Sequence, residues 1–254
     1  MRTEILYEDK SIMVVRKPAG LAVQSAGIGQ PDVVSELKSY LAKLPGAGRP
    51  GKGEPYLGIV HRLDQPVEGL LVFAKDKKAA AALSKQLTEG ALNKHYYAVL
   101  CGYPDCPEGD LVDYLRKEGN VAVAVTGREQ EFADAKIAAL HYRILEEIND
   151  PSPLALADVT IGTGRFHQIR VQFAHAGFPL FGDTKYGMAA LKEAMPAQKY
   201  RGVALCAYSL ELVHPISGKK MEFRVVPKNP AFAGFAMEEL KKLTENETGI
   251  SKRG

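Results

Sequence analysis

The alternation of apolar and polar residues opens the chain with two short strands. Ile5–Tyr7 and Ser11–Arg16, the latter containing Ile-Met-Val-Val, flank a turn at Asp9-Lys10. Lys17-Pro18-Ala19-Gly20 ends the second strand, because proline offers no ladder donor and glycine permits a sharp turn. Asp32 stands where a helix N-cap would, with Val33, Val34, Leu37, Leu41 and Leu44 at helical spacing behind it. Gly69 to Ala74 is a fully apolar run of strand length. Asp76 predicts a second helix with Ala80, Leu83 and Leu87 on one face and Gly90 as its stop.

Tyr96–Leu100, Val121–Val125, Ile137–Leu145 and Leu154–Ile161 read as further strands. Gly162-Thr163-Gly164 turns into a short helix carrying Ile169 and Phe173, with Gly177 after its end. Ala204–Leu212 and Met221–Val226 flank a turn at His214 to Lys219 and predict a hairpin. Many strands, few interspersed helices and no regular βα alternation predict an α+β fold. No repeat and no shift in composition divides the chain. One domain is therefore expected over residues 1–243, with a frayed polar tail over 244–254. Between Pro45 and Pro55, glycines interspersed with Arg49 and Lys52 predict a basic loop.

Composition narrows the class. The 254 residues, 46% hydrophobic and 25% charged, suit a globular chain with a full core and exclude a disordered or collagen-like one. No apolar run approaches the roughly 20 residues that span a bilayer. The start, Met-Arg-Thr-Glu-Ile-Leu-Tyr-Glu-Asp, lacks the features of an export signal. Three cysteines, Cys101, Cys106 and Cys206, are odd in number and too few for a disulfide framework. A soluble, reduced, cytoplasmic protein is expected, and a net charge of +3 permits a nucleic-acid partner without demanding one.

Common chemistries fail on spacing. The His residues include no His-Glu-x-x-His, and Cys101 and Cys106 lack the two-residue knuckle spacing, so no metal site is expected. The glycines of 46–53 match neither a phosphate loop nor a dinucleotide fingerprint, and no nucleophile elbow is present. Three polar sets remain. His61-Arg62-Leu63-Asp64 sits between Gly58-Ile59-Val60 and the apolar run, in a loop pinned by Pro66 and Gly69. Gly164-Arg165-Phe166-His167-Gln168-Ile169-Arg170 opens the short helix, and Lys94-His95-Tyr96 opens a strand. Each alone is equally an ordinary ion pair, a polar helix start or a core tyrosine.

Together they resemble the RluA-type pseudouridine synthases. His61-Arg62-Leu63-Asp64, four residues, then Gly69 to Lys75 is similar to that family's aspartate signature, and Lys17-Pro18-Ala19-Gly20 to its first motif. Lys94-His95-Tyr96 is similar to its tyrosine motif. Gly164 to Arg170, Gly177 and Gly182-Asp183-Thr184-Lys185-Tyr186-Gly187 resemble its third motif and the loop after it. Leu205-Cys206-Ala207, Leu210 and His214-Pro215 resemble its C-terminal strand pair, so the likeness runs from about Ile5 to Val226.

The resemblance implies a mixed, mostly antiparallel sheet flanked by helices, a central RNA-binding cleft, and cofactor-free isomerisation of uridine in ribosomal or transfer RNA. It assigns Asp64 as the essential carboxylate at the sugar–base linkage, by attack at C1′, by removal of the C2′ proton, or by attack at C6 of the base. It pairs Arg165 with Asp64, stacks Tyr96 on the target base and inserts Arg62 where the uridine left. Lys17 and Arg170 would be structural or phosphate-facing, and His61 and His167 loop-positioning. Val67-Glu68 stand where the family commonly has Thr-Ser, with Glu68 either disfavouring a nearby phosphate or pointing to solvent. Phe166 replaces a usual Thr, and Cys206 a usual His. The chain leaves no room for an N-terminal S4 module, so RNA would be held by the cleft, aided by Arg49 and Lys52 and either by Lys75, Lys77, Lys78 and Lys85 as well or with those lysines as an ordinary solvated face. A monomer is expected. The competing readings are a non-enzymatic RNA-binding protein on the same fold, and a hydrolase using His61 and Asp64 on a small substrate.

Overall fold

A computed structural model describes residues 1–25, 27, 29–44, 54–126, 134–149, 152–187 and 202–236. Arg49 and Lys52 of the expected basic loop, and the expected tail from Thr244, lie outside the described residues. The elements in chain order are β1 (Glu4–Glu8), β2 (Ile12–Lys17), α1 (Val33–Ala42), β3 (Gly58–Ile59), β4 (Glu68–Ala74), α2 (Lys77–Thr88) and β5 (Asn93–Cys101). They continue with β6 (Glu108–Glu118), β7 (Val121–Val125), β8 (Lys136–Ile148), β9 (Leu154–Ile161), α3 (Gln168–His175), β10 (Leu205–Val213) and β11 (Lys220–Arg224). The fold is α+β. The chain divides into two compact units, Met1–Lys94 with Ala207–Val225, and His95–Cys206 with Val226–Gly254.

In the first unit the strand order is β1-β2-β4-β10, with β3 on β4 and β11 on β10. The register of β2 on β4 sets Lys17 opposite Gly69 and Ile12 opposite Ala74. Ile12, Met13, Val14 and Val15 of β2 and Leu70 to Phe73 of β4 are all buried. Both strands are covered on both faces, which is why their sequences run apolar without alternation. Each such side chain contributes about 1.5–3 kcal/mol on leaving water. Asp32 caps α1 by accepting from Ser35 N at 2.7 Å and also takes Ser25 N at 2.8 Å. Asp76 caps α2 through Ala79 N at 2.8 Å. Leu44 falls beyond α1, which closes at Lys43, and α2 buries Ala79 and Leu83 rather than the expected trio.

Gly69 has a distinct task. Its φ is +128°, and a Cβ built on it would lie 2.4 Å from the Ala207 carbonyl oxygen. The β4 backbone thus presses directly on β10, an approach open only to a residue without a side chain.

The second unit orders its strands β5-β9-β8-β6-β7, each neighbouring pair antiparallel. Leu115, Ala122, Ala138 and Val171 form a small core in which α3 packs on the sheet, with Tyr186 against it. β6 was not among the expected strands. Its half-buried face carries Asp113 between Leu111 and Leu115, and α3 receives that carboxylate: Gln172 Nε2 donates to it at 2.8 Å and His175 Nδ1 lies at 2.7 Å. A charge on the inward face breaks the apolar alternation by which a strand is read.

Candidate active site

The loop His61–Val67 leads into β4, the most buried strand of the first unit. Leu63 and Val67 are buried and anchor it, while Asp64 between them is half-buried. Val67 N donates to the Asp64 carbonyl at 3.1 Å, closing a tight turn around Gln65 and Pro66. The Gln65 carbonyl is held from two directions, by Gly20 N at 2.8 Å and by Lys17 Nζ at 3.0 Å. Lys17 is wholly buried at 0% exposure and also donates to the carbonyls of Leu21 at 2.7 Å and Pro18 at 3.1 Å. Three carbonyls match the three hydrogens of an ammonium. Burial pulls the lysine down to about 7, opposed by the charges of Asp64 and Glu68. Lys17 is therefore a structural clamp between the end of β2 and the aspartate turn, not a phosphate-facing residue.

His61 fixes the other end of the loop. Its Nε2 accepts from Val72 N at 3.3 Å, which places the imidazole proton on Nδ1, a buried atom without a hydrogen-bond partner. Burial, with the nearby charge of Lys94, pushes His61 down to about 3, so it stays neutral. Arg62 is exposed, and its Nη2 donates to Gln24 Oε1 at 2.9 Å. A long, solvent-facing guanidinium two residues from Asp64 can leave that contact at little cost.

Glu68 corrects an expectation. It is 3% exposed, and its carboxylate lies 3.7 Å from Arg16 Nη2, itself nearly buried. It neither points to solvent nor faces a phosphate: the second negative charge beside Asp64 in sequence is folded inward onto a cation. Lys77, Lys78 and Lys85 are exposed, whereas Lys75 is tied to Glu8 at 2.6 Å.

Tyr96 and Arg165 belong to the second unit. Tyr96, opposite Val159 on β9, keeps 5% of its surface exposed. Lys94, two residues earlier and in the first unit, is half-buried, and burial lowers its pKa. Arg165 is half-buried, and its Nε donates to the Ile137 carbonyl at 2.9 Å, a bond that uses neither terminal amino group. Gln168 organises this turn. Its Oε1 accepts from Thr163 Oγ1 at 2.7 Å and Arg165 N at 3.0 Å, while its Nε2 donates to the Ala139 carbonyl at 3.0 Å. One buried amide thus fastens the arginine's backbone to β8. Nothing in the sequence set Gln168 apart from its polar neighbours; a glutamine just inside a helix start, followed by apolar residues, was the available signal.

Arg170 is buried and forks onto Asp183, Nε to Oδ2 at 2.7 Å and Nη2 to Oδ1 at 2.8 Å. Asp183 Oδ1 also accepts from Lys185 N and Tyr186 N, so this pair shapes the 182–187 loop and is structural. The two sequence sets are thereby built alike: a reachable charged side chain on a turn, held by a buried polar residue. Asp64 depends on Lys17, and Arg165 on Gln168.

Comparison with known proteins agrees with this architecture. The family described as RNA pseudouridylate synthase matches residues 11–175. A ribosomal large subunit pseudouridine synthase D of Zymomonas mobilis is 36% identical over 230 residues, covering 87% of this chain and 68% of that protein. Its counterpart in Escherichia coli O6:H1 is also 36% identical, over 234 residues, covering 87% of this chain and 65% of the relative. The chain thus spans about two thirds of the length of these relatives. Among solved structures, human RNA pseudouridylate synthase domain containing 1 shares the fold at a TM-score of 0.70 and 19% identity, over 96% of this chain and 94% of that one. With the family match spanning β2 to α3 and 36% identity to its members, the chain belongs to the RNA pseudouridylate synthase family.

Proposed function

We propose that this chain isomerises uridine within large-subunit ribosomal RNA to pseudouridine, with Asp64 as the essential carboxylate. The observation that carries this reading is a half-buried, reachable Asp64 on a turn clamped by Lys17 and Gly20, inside the family-matched segment. The names of the relatives supply the first RNA to test.

The reaction breaks the N1–C1′ bond, turns the base, and joins C5 to C1′. C5 loses a proton and N1 gains one, so every atom stays within one nucleotide and no co-reactant is consumed. Asp64 acts at the sugar–base linkage, as a nucleophile at C1′ or as the base that takes the C2′ proton. Arg165 binds the RNA substrate through the terminal amino groups that the Ile137 contact does not use. Tyr96, already ordered by its burial, stacks on the flipped base at little further entropic cost. Arg62 exchanges Gln24 for the stack the uridine has left.

The test is carbodiimide mapping of pseudouridine on unmodified large-subunit ribosomal and transfer RNA transcripts. Wild type should produce one or a few new stops and Asp64→Asn none, with RNA affinity within about threefold. Stops retained by Asp64→Asn would overturn the catalytic assignment. RNA binding without any stop from wild type would support a non-enzymatic RNA-binding protein instead.

A further inference from the structure

We propose that Phe166, backed by His167 and covered by Lys117, is a stacking platform for an unpaired nucleobase of the RNA substrate. This rests on the RNA-modifying reading above. Phe166 is one of the few large apolar side chains left in solvent, 40% exposed. Its ring lies on the His167 imidazole, with centroids 3.8 Å apart and planes inclined by 22°. The Lys117 ammonium sits 5.0 Å from the Phe166 centroid; since His167 takes one face, the lysine covers the other.

The backing is rigid. His167 alone among the described non-glycine residues has a positive φ, +54°, a sparsely populated backbone conformation for a side-chain-bearing residue. Tyr186 holds the ring: its hydroxyl accepts from Ala122 N at 2.8 Å and lies 2.5 Å from His167 Nδ1. The 182–187 loop that carries Tyr186 is shaped by the buried Arg170–Asp183 pair. A chain of polar contacts, buried at Arg170–Asp183 and part-buried beyond it, thus ends in an exposed phenylalanine, which a solvated loop would not require.

The cover is loose. An exposed cation–π contact is weaker than a base stacked on the same ring. A base arriving on Phe166 would displace the ammonium, which then meets the phosphate that the base brings with it. Lys136, across from Leu115 and exposed, adds a second cation on that face of the sheet, while the neighbouring Glu118 is engaged by Arg116. Phe166 follows Arg165 directly in the chain, so the platform and the proposed RNA-binding arginine lie on one turn.

The experiment measures KM and kcat for the full chain on whichever transcript, large-subunit ribosomal or transfer RNA, it modifies. Phe166→Ala should raise KM roughly tenfold with kcat within about twofold, and Phe166→Tyr should restore the wild-type KM. Lys117→Ala should reduce the slope of log affinity against log salt by about one. Phe166 is exposed, so thermal unfolding of both variants should match wild type. A wild-type KM in Phe166→Ala, or failure of tyrosine to restore it, overturns the platform while leaving the family activity intact. A wild type that modifies neither RNA overturns the function reading and this proposal with it.

Discussion

His61 makes the loop before β4 sensitive to acid, and the size of the effect follows from its surroundings. The neutral ring accepts the Val72 amide through Nε2 and sits almost wholly out of water, with its pKa pushed down to about 3. In the unfolded chain the imidazole returns to about 6.5. The folded value lies below the unfolded one, so as pH falls the unfolded state takes up the proton first. The contribution is intact at neutral pH and is lost as pH drops from about 6.5 towards 3. Between pH 7.5 and 5.0 the loss is about 2 kcal/mol, a factor of roughly thirty in the folding equilibrium. That figure depends on the unfolded pKa and holds for any folded value well below 5. Urea unfolding followed by circular dichroism at the two pH values, for wild type and His61→Gln, isolates it. Glutamine can still accept from Val72 N but does not titrate. Asp9, Asp32 and Glu36, each lowered mainly by hydrogen bonds against the opposing effect of burial, are common to both proteins and cancel. Wild type should lose about 2 kcal/mol more than the variant. Equal losses would mean that His61 is protonated in the folded state, and the tautomer inferred from Val72 would be wrong.

Lys17→Met should cost about 2–4 kcal/mol in urea unfolding, because it strands the Pro18 and Leu21 carbonyls and frees the aspartate turn. Wild type, its lysine depressed to about 7, should gain about 2 kcal/mol between pH 7 and 9, and the variant should not. Arg170→Lys replaces a buried two-point fork by a point charge and should lower the thermal midpoint by several degrees, with a loss of roughly 2–3 kcal/mol. Gly69→Ala sets a methyl against the Ala207 backbone at a positive φ; a cost above about 4 kcal/mol is expected, visible as insoluble expression.

Elements were legible where local chemistry and tertiary burial agree. The apolar run of β4, the Asp32 and Asp76 caps and the β10–β11 hairpin are stated in the sequence and present in the structure. β6 was not legible, because Asp113 occupies an inward position whose partners, Gln172 and His175, lie some sixty residues away. The same reason hid the support of the candidate site. Asp64, Arg62, Tyr96 and Arg165 stand out as ordered motifs, but that a lysine is wholly buried, or that Glu68 turns inward to Arg16, follows from three-dimensional neighbours. Sequence names the groups that meet solvent and substrate; it says little about the buried polar groups that aim them.

The first unit is assembled from two stretches of chain, and this imposes an order on biosynthesis. β4, which follows the aspartate turn, takes β2 on one side at once, but its neighbour β10 belongs to a segment that begins at Ala207. A ribosome adding about 5–20 residues per second needs on the order of ten seconds to go from Lys94 to the end of that segment. During that interval the part of the β4 edge that β3 does not cover stands open in the nascent chain, a template for pairing with other chains. The second unit, by contrast, can begin folding while it waits. The residues that carry Asp64 are made well before the strand that completes their sheet, so the proposed catalytic turn gains its full support only after β10 has left the ribosome.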